Sequence, residues 1–307
     1  MKSIVGIYRA SQFSPNMEDS DAAILNAVAD RLRQSGHEVT CVREREERLR
    51  PKNDIACEAS VKREEIELDL EGVDVVLTMG RLMSTLDLLQ EVESKGVKVI
   101  NSSIAIRHCE RKRFTQILMD EDVPFAQSRV FQSSDNITWD LFPCWLKKGE
   151  GYAEVAEDVV FVRNTEELAA QVNRMRQRGI ATLVVSQHLE GDLIKFYGVA
   201  PLCPTDISPE GEVGKGAGFF FWFYASDRPD KFGNNPINHR AQGYRFSERA
   251  LQEICNHAAT VIGLEVYGGD CVVSDDGTIQ LIDINDWPSF SRCREQAAEK
   301  IIRLIGY

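Results

Sequence analysis

The segment running from Tyr267-Gly268-Gly269-Asp270-Cys271-Val272-Val273 through Ser274-Asp275-Asp276-Gly277-Thr278 to Ile279-Gln280-Leu281-Ile282-Asp283-Ile284-Asn285 constrains this chain more than any other. Two β-rich runs flank an Asp-Gly pair, the composition of a tight hairpin whose central residues need positive φ. With Asp276 and Gly277 at those positions, a type I′ turn places Asp270 directly opposite Asp283. Period-two alternation then puts Asn285 on the same face as Asp283. Facing carboxylates repel and destabilise a bare sheet. A divalent cation reverses that sign, and Mg²⁺ favours carboxylate and amide oxygens together with substrate phosphates. Asp270, Asp283 and Asn285 are therefore candidate metal ligands. The competing reading is a hydrated strand facing solvent.

The first hundred residues read differently. Ser3 to Tyr8, Glu38 to Val42, Asp74 to Gly80 and Val97 to Asn101 have strand character. Ala22, Leu25, Val28 and Leu32 are spaced as one helix face, closed by Gly36, and Leu82 to Ser94 is a second helix. Alternating strands and helices predict a parallel, doubly wound sheet ending near residue 105. Beyond it, Arg107 to Asp120 reads as one helix, and Thr165 caps another through Arg178. Thr182 to Gln187 and Ile194 to Val199 read as strands, and Phe246 to Gly263 and Glu295 to Leu304 as helices. The aromatic run Phe219 to Tyr224 is most simply a buried strand. The charged stretch Arg43 to Glu67 reads as solvated loop and helix, and the polar stretch Asp227 to Gln242 as a long loop.

Basic residues stand where phosphate would need them. Lys147 follows an apolar strand and precedes Gly149-Glu150-Gly151, and Lys195 follows Gly191-Asp192 on a strand. Each is a point charge able to reach a nucleotide phosphate, or else an ordinary surface lysine. Gln187-His188-Leu189-Glu190 ends a strand. Its backbone suits an adenine edge, and the Glu190 carboxylate suits a ribose hydroxyl. No Walker A pattern, G-x-G-x-x-G after the first strand, or G-x-S-x-G elbow occurs, although Gly214 to Gly218 is glycine-rich.

A net charge of −12 disfavours nucleic acid and anionic membranes as partners. No apolar run approaches the roughly 18 residues of a membrane span. The opening Met1-Lys2-Ser3-Ile4-Val5 reads as a strand, so a cytoplasmic protein is expected. Eight scattered cysteines lack zinc spacing and are expected to be free thiols.

In their order, these elements resemble the ATP-grasp superfamily over roughly residues 100 to 307. The resemblance implies an α/β and α+β chain. An N-terminal doubly wound pre-ATP-grasp domain (1–105) would precede two grasping α+β subdomains (106–186 and 187–307), the second carrying the Mg site. Leu281-Ile282-Asp283-Ile284-Asn285-x-x-Pro288 is most similar to the inositol polyphosphate 5/6-kinase family, whereas most ATP-grasp ligases place Glu-x-Asn there. That likeness implies ATP and Mg²⁺, with Asp270, Asp283 and Asn285 on the metal. Arg111, Lys147 and Lys195 would bind ATP, and Gln187 to Leu189 would form the adenine hinge. The kinase family's loop histidine and its Pro-Gly-Tyr are replaced by Gly149-Glu150-Gly151-Tyr152 and Pro288-Ser289-Phe290.

The leading expectation is a kinase acting on a polyol or phosphorylated alcohol. The alternative is a carboxylate–amine ligase working through an acyl phosphate, and the third reading is a nucleotide-binding regulator. Lys195 and Arg292 are the expected catalytic groups. Arg9, His239, Arg240, Ser291 and Arg292 are candidates to meet a small-molecule acceptor. The protein is expected to be a monomer or homodimer.

Overall fold

The computed structural model describes residues 1–44, 70–201, 218–225, 237–238 and 240–306. His239, Gly214 to Ala217, and most of the charged and polar stretches 43–67 and 227–242 lie outside the described residues.

The chain opens with β1 (Ser3–Tyr8), α1 (Glu18–Gln34), β2 (Glu38–Arg43), β3 (Val75–Thr78), α2 (Met83–Ser94) and β4 (Lys98–Ile100). The four strands form a parallel sheet in the order β2-β1-β3-β4. Apolar residues on both sides of its central strands require cover on both faces. Ile24, Leu25, Val28 and Leu32 of α1 pack with Ile4 and Leu77 on one face. Leu86, Leu89 and Val92 of α2 pack with Val5, Ile7 and Val76 on the other. The sheet is doubly wound, as predicted.

The expected helix over 107–120 is two helices, α3 (Ser103–His108) and α4 (Arg111–Asp120). Glu110 between them has φ −61° and ψ 129°, an extended conformation that stops the first helix and caps the second. Next come β5 (Ser128–Gln132), β6 (Cys144–Lys148), β7 (Val159–Val162), α5 (Thr165–Gln177) and β8 (Thr182–Gln187). These strands form an antiparallel sheet ordered β5-β8-β6-β7. Leu168, Val172 and Met175 of α5 pack on its Leu146, Val162, Leu183 and Val185. The cap of α5 is Asn164 rather than Thr165: its side chain accepts from the Glu167 amide at 2.9 Å. β5 is absent from the sequence reading because Ser128-Arg129 and Gln132 give it no apolar run.

The last third holds β9 (Asp192–Val199), β10 (Phe219–Tyr224), α6 (Glu248–Ile262), β11 (Val266–Val273), β12 (Ile279–Asp286) and α7 (Arg294–Ile301). Its antiparallel sheet is ordered β10-β9-β11-β12. The aromatic β10 is an edge strand and only half-buried, not the buried strand expected. Phe219, Phe221 and Phe223 pack on one side of the sheet, and Phe220, Trp222 and Tyr224 on the other. Behind the sheet, Leu251, Cys255 and Ile262 of α6 meet Phe114 and Leu118 of α4. On the front, Tyr197, Val266, Phe290 and Ala298 share one core with Ile4 and Leu77 of the first sheet.

The β11–β12 hairpin differs from its predicted turn and yet delivers the predicted pair. The turn is Ser274 to Gly277, closed by Gly277 N–H donating to Ser274 O at 2.9 Å. Only Gly277 takes positive φ (87°), so the connection is not type I′. Near the turn the register is therefore one residue off: Val273 faces Ile279 and Cys271 faces Leu281. A β-bulge then leaves Ile282 unpaired and restores Asp270 opposite Asp283. The bulge also resets the alternation. Leu281 and Ile284 are fully buried while Asp283 and Asn285 are not.

Gly269 lets these strands close. A Cβ there would overlap the Asp283 carbonyl oxygen and come within 2.7 Å of Phe196 Cζ. Gly269→Ala should therefore destabilise the protein by about 1–3 kcal/mol, an overpacking cost. A shift in urea midpoint at unchanged slope reads this out.

Candidate functional site

The third sheet sets four side chains in a row. Phe223 of β10 pairs with Lys195 of β9, Lys195 with Asp270 of β11, and Asp270 with Asp283 of β12. Residues directly opposite across antiparallel strands share a face, so this row follows from register alone. Lys195 Nζ donates to Asp270 Oδ1 at 2.7 Å, and Asn285 Nδ2 donates to Asp283 Oδ2 at 3.1 Å. These two contacts offset the repulsion of the facing carboxylates. The Asp270 charge raises the pKa of Lys195 against the opposing effect of burial.

Lys147 enters from the second sheet. It is 8% exposed, and burial, reinforced by the Arg111 charge, lowers its pKa to about 8. Asp283 and Asp270 pull in the other direction, so Lys147 is within electrostatic reach of both carboxylates and of Arg111. Arg111 is the first residue of α4. The structure thus assembles Asp270, Asp283, Asn285, Lys195, Lys147 and Arg111 from four separate stretches of sequence. Among the described residues, no three carboxylate, imidazole or thiolate groups converge as a closed metal cage. Two carboxylates and an amide form an open oxygen set. That donor chemistry fits Mg²⁺, which takes its remaining ligands from phosphate and water.

Gln187, His188, Leu189 and Glu190 link the second sheet to the third. The Gln187 amide donates to Gln127 O at 2.8 Å, and the His188 amide to Pro143 O at 3.1 Å. His188 Nδ1 accepts from Trp145 Nε1 at 3.1 Å, which requires a ring unprotonated at Nδ1. Phe161 stacks edge-on to both Trp145 and His188. Leu189 O accepts from Asn238 Nδ2 at 3.1 Å, and Glu190 is exposed. Just beyond, the buried Asp192 carboxylate accepts from the amides of Gln242, Gly243 and Tyr244 at 2.6–2.9 Å. The linker is therefore anchored at both ends.

The remaining predicted residues lie apart from the row or at its rim. Arg292 is exposed, with its guanidinium 4.2 Å from the Phe223 ring centroid. Ser291 and Arg240 are exposed. Arg9 is 7% exposed, in a buried group that sequence reading missed. There Arg81 Nη2 bonds Asp286 Oδ1 at 2.6 Å, and its guanidinium lies 3.8 Å from the Tyr152 ring centroid. Asp286 is fully buried and follows Asn285 of the carboxylate strand. The available signals were an arginine directly after a strand-ending glycine (Gly80-Arg81) and an aromatic directly after the Gly149-Glu150-Gly151 loop.

Burial holds the His188 pKa below its usual 6.5, against the opposing effect of Glu190. The unfolded chain then binds a proton at a pH where the folded one resists it, so stability falls as pH drops below about 6.5. His188→Gln should flatten this component. The check is the change in urea midpoint between about pH 7.5 and about pH 5.5, compared with the parent protein.

No protein-family model and no curated protein matches the sequence. Solved structures do match across the chain. D-alanine–D-alanine ligase from Bacillus anthracis, complexed with ATP, aligns with a TM-score of 0.64 at 12% identity, covering 99% of this chain and 97% of that one. The RimK domain ATP-grasp protein from Sphaerobacter thermophilus aligns at 0.60 and 15%, covering 99% of each. D-alanyl-alanine synthetase A from Vibrio cholerae aligns at 0.65 and 11%, covering 99% and 97%. From first strand to last helix, this chain has the ATP-grasp fold.

Proposed function

We propose that the chain is an ATP- and Mg²⁺-dependent ligase that activates a small carboxylic acid as an acyl phosphate and joins it to an amine. The observation that carries the ATP and Mg²⁺ part of this reading is the row Lys195, Asp270 and Asp283, with Asn285 beside it and Lys147 within electrostatic reach. Phosphoryl transfer needs positioned positive charge around the nucleotide's tail more than it needs covalent chemistry. Asp270, Asp283 and Asn285 would hold Mg²⁺, which supplies charge neutralisation at the phosphates when bound. Lys147, Lys195 and Arg111 would meet phosphate oxygens, and the Gln187–Glu190 linker would seat the nucleoside. Arg292, carried on the Phe223 ring beside Lys195, would approach the reacting groups from the rim.

The Ile282-Asp283-Ile284-Asn285 segment prompted the kinase expectation, but the same metal and phosphate groups serve both reactions. Full-length likeness to ligases favours the ligase. Release of ADP should require both an acid and an amine. Adding hydroxylamine in place of the amine should trap the activated acid as a hydroxamate. Phosphate transfer to an alcohol without an acid would instead establish the kinase, and ATP binding without turnover the regulator.

Asp283→Asn should lower Mg²⁺-dependent turnover by on the order of 100-fold or more, the scale of one lost charged contact in the transition state. Its melting temperature without metal should not fall, since one of two facing charges is removed. Parent-like turnover would take Asp283 out of the site.

A further inference from the structure

The boundary between β1 and β3 is where the first sheet's crossovers diverge, because α1 packs on one face and α2 on the other. Ligands of such sheets bind at the carboxyl ends of the strands at that boundary. Three groups meet there. Glu44 is buried, and its carboxylate accepts from the amides of Ala10, Arg81 and Leu82 at 2.9–3.1 Å. The backbone donors of the boundary are thus already taken by a carboxylate of the chain itself. Gly80 leaves room for it, since a Cβ there would come within 3.0 Å of Glu44 Oε2.

The other two groups are Arg9 and Arg81, at the ends of the same two strands and only 7% and 8% exposed. Among the described residues, the Nε of each has no hydrogen-bond partner. All four side-chain bonds of Arg9 are long, at 3.3–3.5 Å, to Asp21, Asp286 and Trp287. An unpaired buried donor is costly. The face of Arg81 is covered by Tyr152, which follows the Gly149-Glu150-Gly151 loop, and Gly151 has φ 57°. A ring on the face of a guanidinium offers no acceptor to its edge. Tyr152 is held there by its hydroxyl donating to Ile106 O at 3.1 Å.

We propose that Arg81 and Arg9 form a recognition subsite for a carboxylate of the acceptor, and that Tyr152 is its removable stopper. A carboxylate, with two oxygens, would give these two unpaired Nε donors an acceptor that no described residue supplies. Asp286, which binds both arginines, follows Asn285, so the subsite borders the phosphate-binding row. Tyr152 and Lys147 flank one glycine loop, so a bound acid would move the loop beside the nucleotide's lysine. The choice of an acid as ligand rests on the ligase reading.

The test is calorimetric titration of the full chain, with Mg²⁺ and a non-hydrolysable ATP analogue, and needs no turnover. Acetate, glycine and succinate are each compared with acetamide, glycinamide and succinamide. At least one acid should bind about tenfold or more tightly than its amide, the scale of a charged hydrogen bond. Arg81→Lys keeps a charge beside Asp286 but loses the planar fork. It should weaken that acid about tenfold while analogue affinity stays put. Tyr152→Ala should tighten the acid instead, a direction that general loss of structure would not produce. The proposal is overturned if no acid outbinds its amide, if Arg81→Lys leaves the acid's affinity unchanged, or if Tyr152→Ala weakens it. Hydroxamate trapping judges the ligase reading separately. Acid binding without trapped hydroxamate would leave the subsite standing and remove the reaction.

Discussion

The repulsion between Asp270 and Asp283 is the constraint around which the site is organised. Two carboxylates on paired strands are tolerated because each has a specific partner, an ammonium for one and a side-chain amide for the other. Both partners sit on the same sheet, one strand over or two residues along. The cluster is therefore set by strand register rather than by loop conformation, which gives a preorganised place for positive charge. The bulge at Ile282 makes that register compatible with a sealed core, since Leu281 and Ile284 go inward while the acid between them stays opposite Asp270.

A second layer of charge lies at the end of the same strand. Asp286 turns away from the row and binds two arginines of the first sheet. Such a buried pairing is costly to break from one side. It ties the strand bearing Asp283 and Asn285 to the ends of β1 and β3, so the proposed acceptor side and the proposed nucleotide side share one piece of backbone. The divided environment of Lys147, with burial and Arg111 against two carboxylates, repeats the pattern: charges at this site are held in mutual balance.

Much of this was legible in the sequence, for physical reasons. The first sheet was readable because its strands are buried on both faces and its helices carry one clear apolar stripe. The facing aspartates were readable because β-pairing converts sequence spacing into geometry. Even so, two departures cancelled there, a different turn and a compensating bulge, and neither leaves a mark in a period-two pattern. β5 escaped notice because tertiary pairing, not composition, makes it a strand. Arg81, Tyr152 and Asp286 escaped because they lie far apart in the chain and meet only through packing. The half-exposure of β10 depends on which strand takes the edge, and that order is not encoded locally.

The core shared by the first and third sheets has a mechanical consequence. Ile4, Leu77, Tyr197, Val266, Phe290 and Ala298 belong to one apolar cluster, and Lys2 Nζ reaches the Ile305 carbonyl at 2.6 Å. Residues near the two ends of the chain are thereby fastened together, and the first and third sheets are packed as one unit. The second sheet has a separate core of its own beneath α5. The second sheet, which carries Lys147 and the glycine loop, stands outside that shared core and is joined to the third sheet through the anchored Gln187–Glu190 linker.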